Sequence, residues 1–376
     1  MTEHETGTSG AADKAPAVPA TTTAWVREDY GPAEGTGATE VPTPRPGPGE
    51  VLLAVRATAL NAGDVRLLLG DPLLVRPFFG LTRPRNPVRG IDVAGTVVAL
   101  GDGVRDVAVG EEVVVELKGG GGLAGYAVAP ADRLSRRPDG VDPTTAACLP
   151  VAAGTAWQAW DLAGIAASGP RAVEGPDAGG SGAEARGAEP GAGPRVLVIG
   201  ASGGVGTFSV QLGVLRGAEV WASCGERSRA LVEGLGAAHV VDHRAEGPGG
   251  AALDALPEGR FDAVIDIAGG IPIRRLQRLV RDGGRVVLVT GDGGRVLGPL
   301  PRMIRAAVLS IGSRRRALSL AVTPRPEVVE ALLALAAEGR ISPVIEREWA
   351  FSEAAEALAH VAAGHARGKN VVRAAS

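Results

Sequence analysis

The residues best suited to chemistry stand in the middle of the chain, in RVLVIGASGGVGTFSV over 195–210. An apolar strand ends there at Ile199, and Gly200, Gly203, Gly204 and Gly206 lead into a helix. Glycine tolerates positive φ and lets the backbone come close to a pyrophosphate. The free N–H groups and positive dipole end of the next helix then hold the phosphate charge. The turn is one residue longer than G-x-G-x-x-G, but the strand before it, the helix after it and a second strand, AEVWASC, supply a βαβ setting. That second strand runs into SCGERSR, with no acid at its tip to take a ribose 2′-hydroxyl. Glu219 is at its opposite end, Glu226 comes late, and Arg227 and Arg229 suit a 2′-phosphate, so NADPH is expected over NADH. The bland alternatives are a glycine turn with no ligand and two arginines that are only surface charges.

The elements that would carry these residues fall into two patterns. From about Pro150 onward, helical stretches alternate with continuous apolar strands (RVLVIGA, AEVWASC, HVVDH, FDAVIDIAG and GRVVLVTG). Such alternation implies a parallel sheet covered on both faces. Before it, VLLAVRATAL, GIDVAGTVVALG, EEVVVEL and GYAVA are short, valine-rich and separated by Gly/Asp turns, which reads as a mostly β domain. PEVVEALLALAAEG and SEAAEALAHVAAG are amphipathic helices, and KNVVRA is a closing strand. Residues 1–23 read as a disordered tail with neither a basic start nor an apolar h-region. Residues 168–193, rich in Gly, Ala, Pro and Glu, read as a flexible insertion or, alternatively, an interdomain linker.

Composition narrows the classes. With 376 residues, 45% hydrophobic and 22% charged, the chain has room for two packed domains of ordinary soluble type. A net charge of -3 gives no reason to expect a nucleic-acid partner. Two cysteines, Cys148 and Cys224, make no disulfide framework, which fits a reducing, cytoplasmic setting. The apolar run 306–322 is broken by Arg314, Arg315 and Arg316, so no membrane partner is expected.

Short-chain dehydrogenases also carry such a turn, but they place it near the N-terminus and need Tyr-x-x-x-Lys downstream. Tyr30 and Tyr126 both precede the turn, and Pro130 stands where Lys would follow Tyr126. The pieces PGPGEVLLAVRATALNAGD, GIDVAGTVVALGDGVRDVAVGEEVV, CLPVAAGTAWQAW, VLVIGASGGVG, LGAAHVVDH and GHARGKNVV follow one another along the chain, in the order that a second large dehydrogenase group has them. From about Trp25 to Val372 the chain resembles the medium-chain dehydrogenase/reductase superfamily, in its zinc-free, quinone oxidoreductase-like branch. The resemblance implies an α/β fold: a Rossmann doubly wound parallel sheet over 151–324 plus a β-rich GroES-like catalytic domain made of 24–150 and 325–376.

Zinc-dependent relatives carry Cys near Ala62, His-Glu where this chain has Ile91-Asp92, and a third ligand near Val151; only Asp92 has a ligand atom, and Cys148 is three residues early. The four-cysteine structural loop is missing as well. What the resemblance implies is hydride transfer from NADPH to a quinone or an α,β-unsaturated carbonyl, a small-molecule acceptor that needs no Lewis acid. Asn61 and Asp64 of the NxxD motif would line the substrate cleft, with Asp64 either orienting Asn61 or water, or capping the helix DVRLLLG. Thr155 would lie near the nicotinamide. The cofactor positions are Gly200, Ala201, Ser202, Gly203, Gly204, Val205, Gly206, Gly225, Arg227, Thr290 and Lys369. Phe78 and Phe79 would give an aromatic wall without hydroxyl donors, while Arg66, Arg76, Arg83 and Arg85 either steer an anionic substrate or sit at the surface. IRAAVLSIGS resembles the family's edge strands, which implies a homodimer. An enoyl-thioester reductase and a non-catalytic NADPH-binding sensor are the competing readings.

Overall fold

A computed structural model describes residues 18–166, 193–243, 251–289 and 293–374. The insertion expected over 168–193 lies outside the described residues except for Gly193, as does Thr290. Three sheets organise the chain. A two-stranded ribbon pairs β1 (Thr21–Val26) with β2 (Gly37–Pro42). The second sheet contains β3 (Glu50–Leu60), β4 (Asp92–Leu100), β5 (Glu112–Glu116), β6 (Tyr126–Pro130), β7 (Ser135–Arg136), β14 (Ile345–Trp349) and β15 (Lys369–Arg373). Its order is β14-β15-β3-β4-β5-β7, with β6 pairing β3. The third is a six-stranded parallel sheet in the order β10-β9-β8-β11-β12-β13, made of β8 (Arg195–Ile199), β9 (Glu219–Cys224), β10 (His239–Asp242), β11 (Phe261–Asp266), β12 (Val280–Leu288) and β13 (Arg316–Ser319).

The apolar strands of the parallel sheet follow from what covers them. Val196, Val198, Ala263 and Ile265 pack into a core with Trp160, Phe208 and Leu332, while Leu197, Val264 and Val286 pack on the opposite face with Leu276 and Leu279. Burial on both faces removes any need for polar alternation. The first of these cores also takes in Ala57 and Val114 from the second sheet and Cys148, which follows the helix Pro143–Ala147, so the two halves share one apolar interior. The α/β class with a doubly wound parallel sheet and a GroES-like β domain therefore stands.

Three readings need correction. Order begins before Ala24, because Thr21 already pairs with Pro42 and Thr22 with Val41. IRAAVLSIGS is not a strand: Leu300–Ser310 is a helix, begun by prolines at 299 and 301, and the edge strand is the next element, β13. Proline at a helix start is tolerated because its missing N–H would have no partner there. Phe78 forms no inner wall, since 70% of its surface is exposed.

Candidate functional site

The parallel sheet changes direction between β8 and β11: β9 and β10 extend it one way, β12 and β13 the other. Ligands of doubly wound sheets bind at this switch point, outside the carboxyl ends of the strands. The glycine turn stands there. Gly200 adopts φ +84°, and both Gly200 and Ala201 donate their N–H groups to Ser223 O on β9, at 3.1 Å. Gly203 starts the helix Gly204–Leu215, whose N-terminus has no capping side chain. A side chain at Gly206 would stand 2.1 Å from Gly200 O, so only glycine allows the turn to fold this tightly. At Gly203 the nearest atom to an added Cβ is 3.7 Å away, leaving the helix end open. An uncapped helix N-terminus with an open glycine face fits a pyrophosphate.

At the tip of β9, Gly225 lies beside His243. Arg227 is exposed and has no ion pair among the described residues, whereas Arg229 is drawn to Glu226 at 2.9 Å and to Glu233 at 3.7 Å. Of the two arginines, Arg227 is thus the one left to meet a phosphate. Glu219, at the far end of the strand, binds Trp221 Nε1, Arg195 and His239.

Joined to the turn through Lys369 is a buried polar knot. Asn61 precedes the helix Ala62–Leu69, and the Asp64 carboxylate takes the Asn61 N–H at 2.9 Å and the Gly90 N–H at 2.8 Å. Asp64 is completely buried, and burial holds its carboxyl above the usual range. The Asn61 side chain donates to Ala59 O at 3.2 Å and to Asp92 at 2.9 Å, and accepts from Lys369 Nζ at 2.5 Å. Lys369 Nζ also donates to Leu60 O at 3.0 Å and stands 3.9 Å from the Asp92 carboxylate. Asp92 takes the Val151 N–H at 3.2 Å. Its carboxyl is pushed well above the ordinary value by burial, against the nearby Lys369 charge.

The sequence positions therefore separate. Asn61 and Asp64 come together, and both Asn61 amide protons and both Asp64 oxygens are engaged within the protein. Lys369 reaches both sides: its ammonium binds Leu60 O and Asn61, its stem comes within 3.0 Å of an added Cβ at Gly204, and its neighbour Gly368 donates its N–H to Ser202 O at 2.9 Å. Thr155 is buried near the start of the helix Gly154–Leu162, which packs on Gly204–Leu215 and follows a π turn at Leu149–Ala153.

Two carboxylates carry more than the sequence reading gave them. Besides Asp92 there is Asp266, buried at the carboxyl end of β11, which takes Gly269 N–H and pairs with Arg302 at 2.8 Å. The available signal was an acid inside an apolar strand, in GIDVAG and VIDIAG. Burial raises the Cys148 thiol to about 12, so it stays protonated. Among the described residues, no three His, Cys, Asp or Glu side chains are placed to hold a metal ion.

Residues 47–139 match the family described as "Alcohol dehydrogenase GroES-like domain", and residues 235–372 that described as "Zinc-binding dehydrogenase". The "Chloroplast envelope quinone oxidoreductase homolog" of Arabidopsis thaliana is 36% identical over 91% of this chain and 95% of its own length. The "NADPH-dependent alkenal/one oxidoreductase, chloroplastic" of the same plant is 28% identical over 94% of this chain and 80% of its own. The solved quinone oxidoreductase from Coxiella burnetii superposes with a TM-score of 0.77 at 25% identity, covering 94% of this chain and 99% of that one. Two sheets sharing one core, a glycine turn at the switch point and this full-length similarity agree: the chain belongs to the medium-chain dehydrogenase/reductase superfamily, in its quinone oxidoreductase-like branch.

Proposed function

We propose that this oxidoreductase takes NADPH and reduces a quinone or an α,β-unsaturated carbonyl without a metal. The observation that carries the reading is the state of Asp92. Of the positions that hold zinc in metal-dependent relatives, only Asp92 offers a ligand atom here, and its oxygens face Asn61 Nδ2, Val151 N–H and Lys369. An ammonium in that place supplies the positive charge that balances the carboxylate. Ala62, Ile91 and Val151 contribute no ligand atom.

The reduced nicotinamide, when bound, supplies the hydride. The chain's own residues hold and orient. The open N-terminus of Gly204–Leu215 receives the pyrophosphate, and Arg227 receives the 2′-phosphate. The knot of Asn61, Asp64, Asp92 and Lys369 fixes the wall opposite and keeps its charges off the reacting centre. With the Asn61 and Asp64 side chains engaged, the proton that completes reduction of the acceptor comes from solvent. The reading extends to a cytoplasmic homodimer joined through β13, whose outer edge is unpaired beside a groove of about 420 Å³ between it and helix Leu300–Ser310.

The test is NADPH consumption against quinones, enones, an enoyl thioester and simple aldehydes. Oxidation by a quinone or enone, unchanged by a chelator, is expected. NADPH binding without oxidation by any acceptor overturns the enzymatic reading, and loss of activity on chelation overturns the metal-free one. For the cofactor, Arg227→Ala should raise KM for NADPH by about tenfold while leaving that for NADH nearly unchanged; equal effects remove the preference.

A further inference from the structure

The exposed large apolar side chains are not scattered. Of the fifteen among the described residues, ten lie in two stretches, 69–81 and 296–311. These stretches come from different halves of the molecule and meet: Leu73 N–H donates to Arg295 O at 2.7 Å and Leu74 N–H to Val296 O at 3.2 Å. Pro72 packs where a side chain on Gly298 would stand. Together Leu74, Phe78, Leu81, Val296, Leu297 and Ile304 form an apolar patch astride the junction of the two halves. The first stretch follows the helix begun by Asn61, and the second is anchored through Arg302 to Asp266 at the carboxyl end of β11, the end of the parallel sheet where the glycine turn stands.

Its charge is equally uneven. Residues 65–85 and 293–316 contain ten arginines and one acid, Asp71, although the whole chain has a net charge of -3. Arg302 is paired with Asp266, and Arg314 and Arg315 with Asp282. Arg83, Arg295 and Arg305 are exposed beside the apolar side chains and have no ion pair among the described residues. Apolar side chains that project from loops and a helix, ringed by cations on an otherwise acidic protein, match one surface chemistry: an apolar interior under anionic headgroups.

We propose that this junction patch docks on an anionic phospholipid surface, with Phe78, Leu81 and Ile304 entering the headgroup layer and the arginines meeting phosphate. The expectation of no membrane partner rested on spanning segments, and among the described residues no helix is long and apolar enough to cross a membrane; surface docking needs none. Resting on the acceptor reading above, the docking would set the crevice against the phase in which a quinone with an apolar tail dissolves.

The experiment is co-sedimentation of the full chain, without NADPH or acceptor, with vesicles of phosphatidylcholine alone and of phosphatidylcholine with one-third phosphatidylserine. Binding at least about tenfold stronger to the anionic vesicles, weakened by salt, is expected. A double variant, Phe78→Asp with Ile304→Asp, and a second, Arg83→Ala with Arg305→Ala, should each lower that binding by about tenfold or more. Circular dichroism melting is the check that both remain folded. Binding that ignores lipid charge, or no binding, overturns the proposal. So does sedimentation velocity in which Phe78→Asp with Ile304→Asp converts a dimer to monomer, which makes the patch an interface between copies. Because no acceptor is present, failure here is separate from failure of the proposed reaction.

Discussion

The glycine turn and the polar knot meet through Lys369, whose stem packs against Gly204 and whose ammonium binds Asn61, and they are opposite in kind. At the turn, the helix end has no capping side chain and is open at Gly203. In the knot, four buried groups satisfy one another: Asp64 takes two backbone N–H groups, Asn61 is held from three sides, and Lys369 stands against Asp92. An unsatisfied array invites a ligand, whereas a closed one holds shape. The comparison explains how neighbouring polar groups of one site divide into those that bind and those that position.

The contrast breaks most sharply at Lys369. Lys369→Met leaves Asp92 buried without a counter-charge and should destabilise the protein by about 3–5 kcal/mol in denaturant unfolding. A loss below about 1 kcal/mol would show that the ammonium is dispensable and the knot mere packing. At the turn, Gly206→Ala puts a methyl 2.1 Å from Gly200 O. Relieving such a backbone clash costs about 1–3 kcal/mol, which should appear mainly as weaker NADPH binding in a fluorescence titration. Unchanged affinity would mean that the turn does not hold the cofactor.

The smallest effect separates Asp92 by pH. In the unfolded chain its carboxyl loses a proton near the ordinary value of about 3.9. In the folded chain burial raises that value, so the proton is kept to higher pH. As pH climbs from about 4 the unfolded state releases its proton first, and the native state loses relative stability. Asp92→Asn has no such proton, so the wild-type advantage in Tm over it should be largest in acid and shrink toward neutrality. A constant difference across that range would mean that Lys369 keeps the carboxylate ionised throughout.

Much of this arrangement can be read along the chain. Continuous apolar strands between helices announce a sheet buried on both faces, and GASGGVG announces its phosphate turn. The helix Leu300–Ser310 is less legible, because VLSIG is rich in strand-favouring residues; the prolines at 299 and 301 were the better guide. The true edge strand, Arg316–Ser319, is too short and polar to stand out. Asp64 as a helix partner is local and follows from its N3 position. The bond from Lys369 to Asn61 joins residues 308 apart, and no spacing rule reaches that far.

That separation has a consequence for synthesis. β15 pairs directly with β3, Asn370 against Leu60 and Val372 against Thr58, yet some three hundred residues are translated between them. A ribosome therefore releases the first β domain with the Ala57–Leu60 end of β3 unpartnered on one edge and Asp92 without its cation. The parallel sheet can be complete before either is supplied. Contacts of such long range close slowly and leave the nascent edge exposed to other chains. Chaperone protection during elongation thus matters more for the early domain than for the later one, although the early domain is the first to leave the exit tunnel.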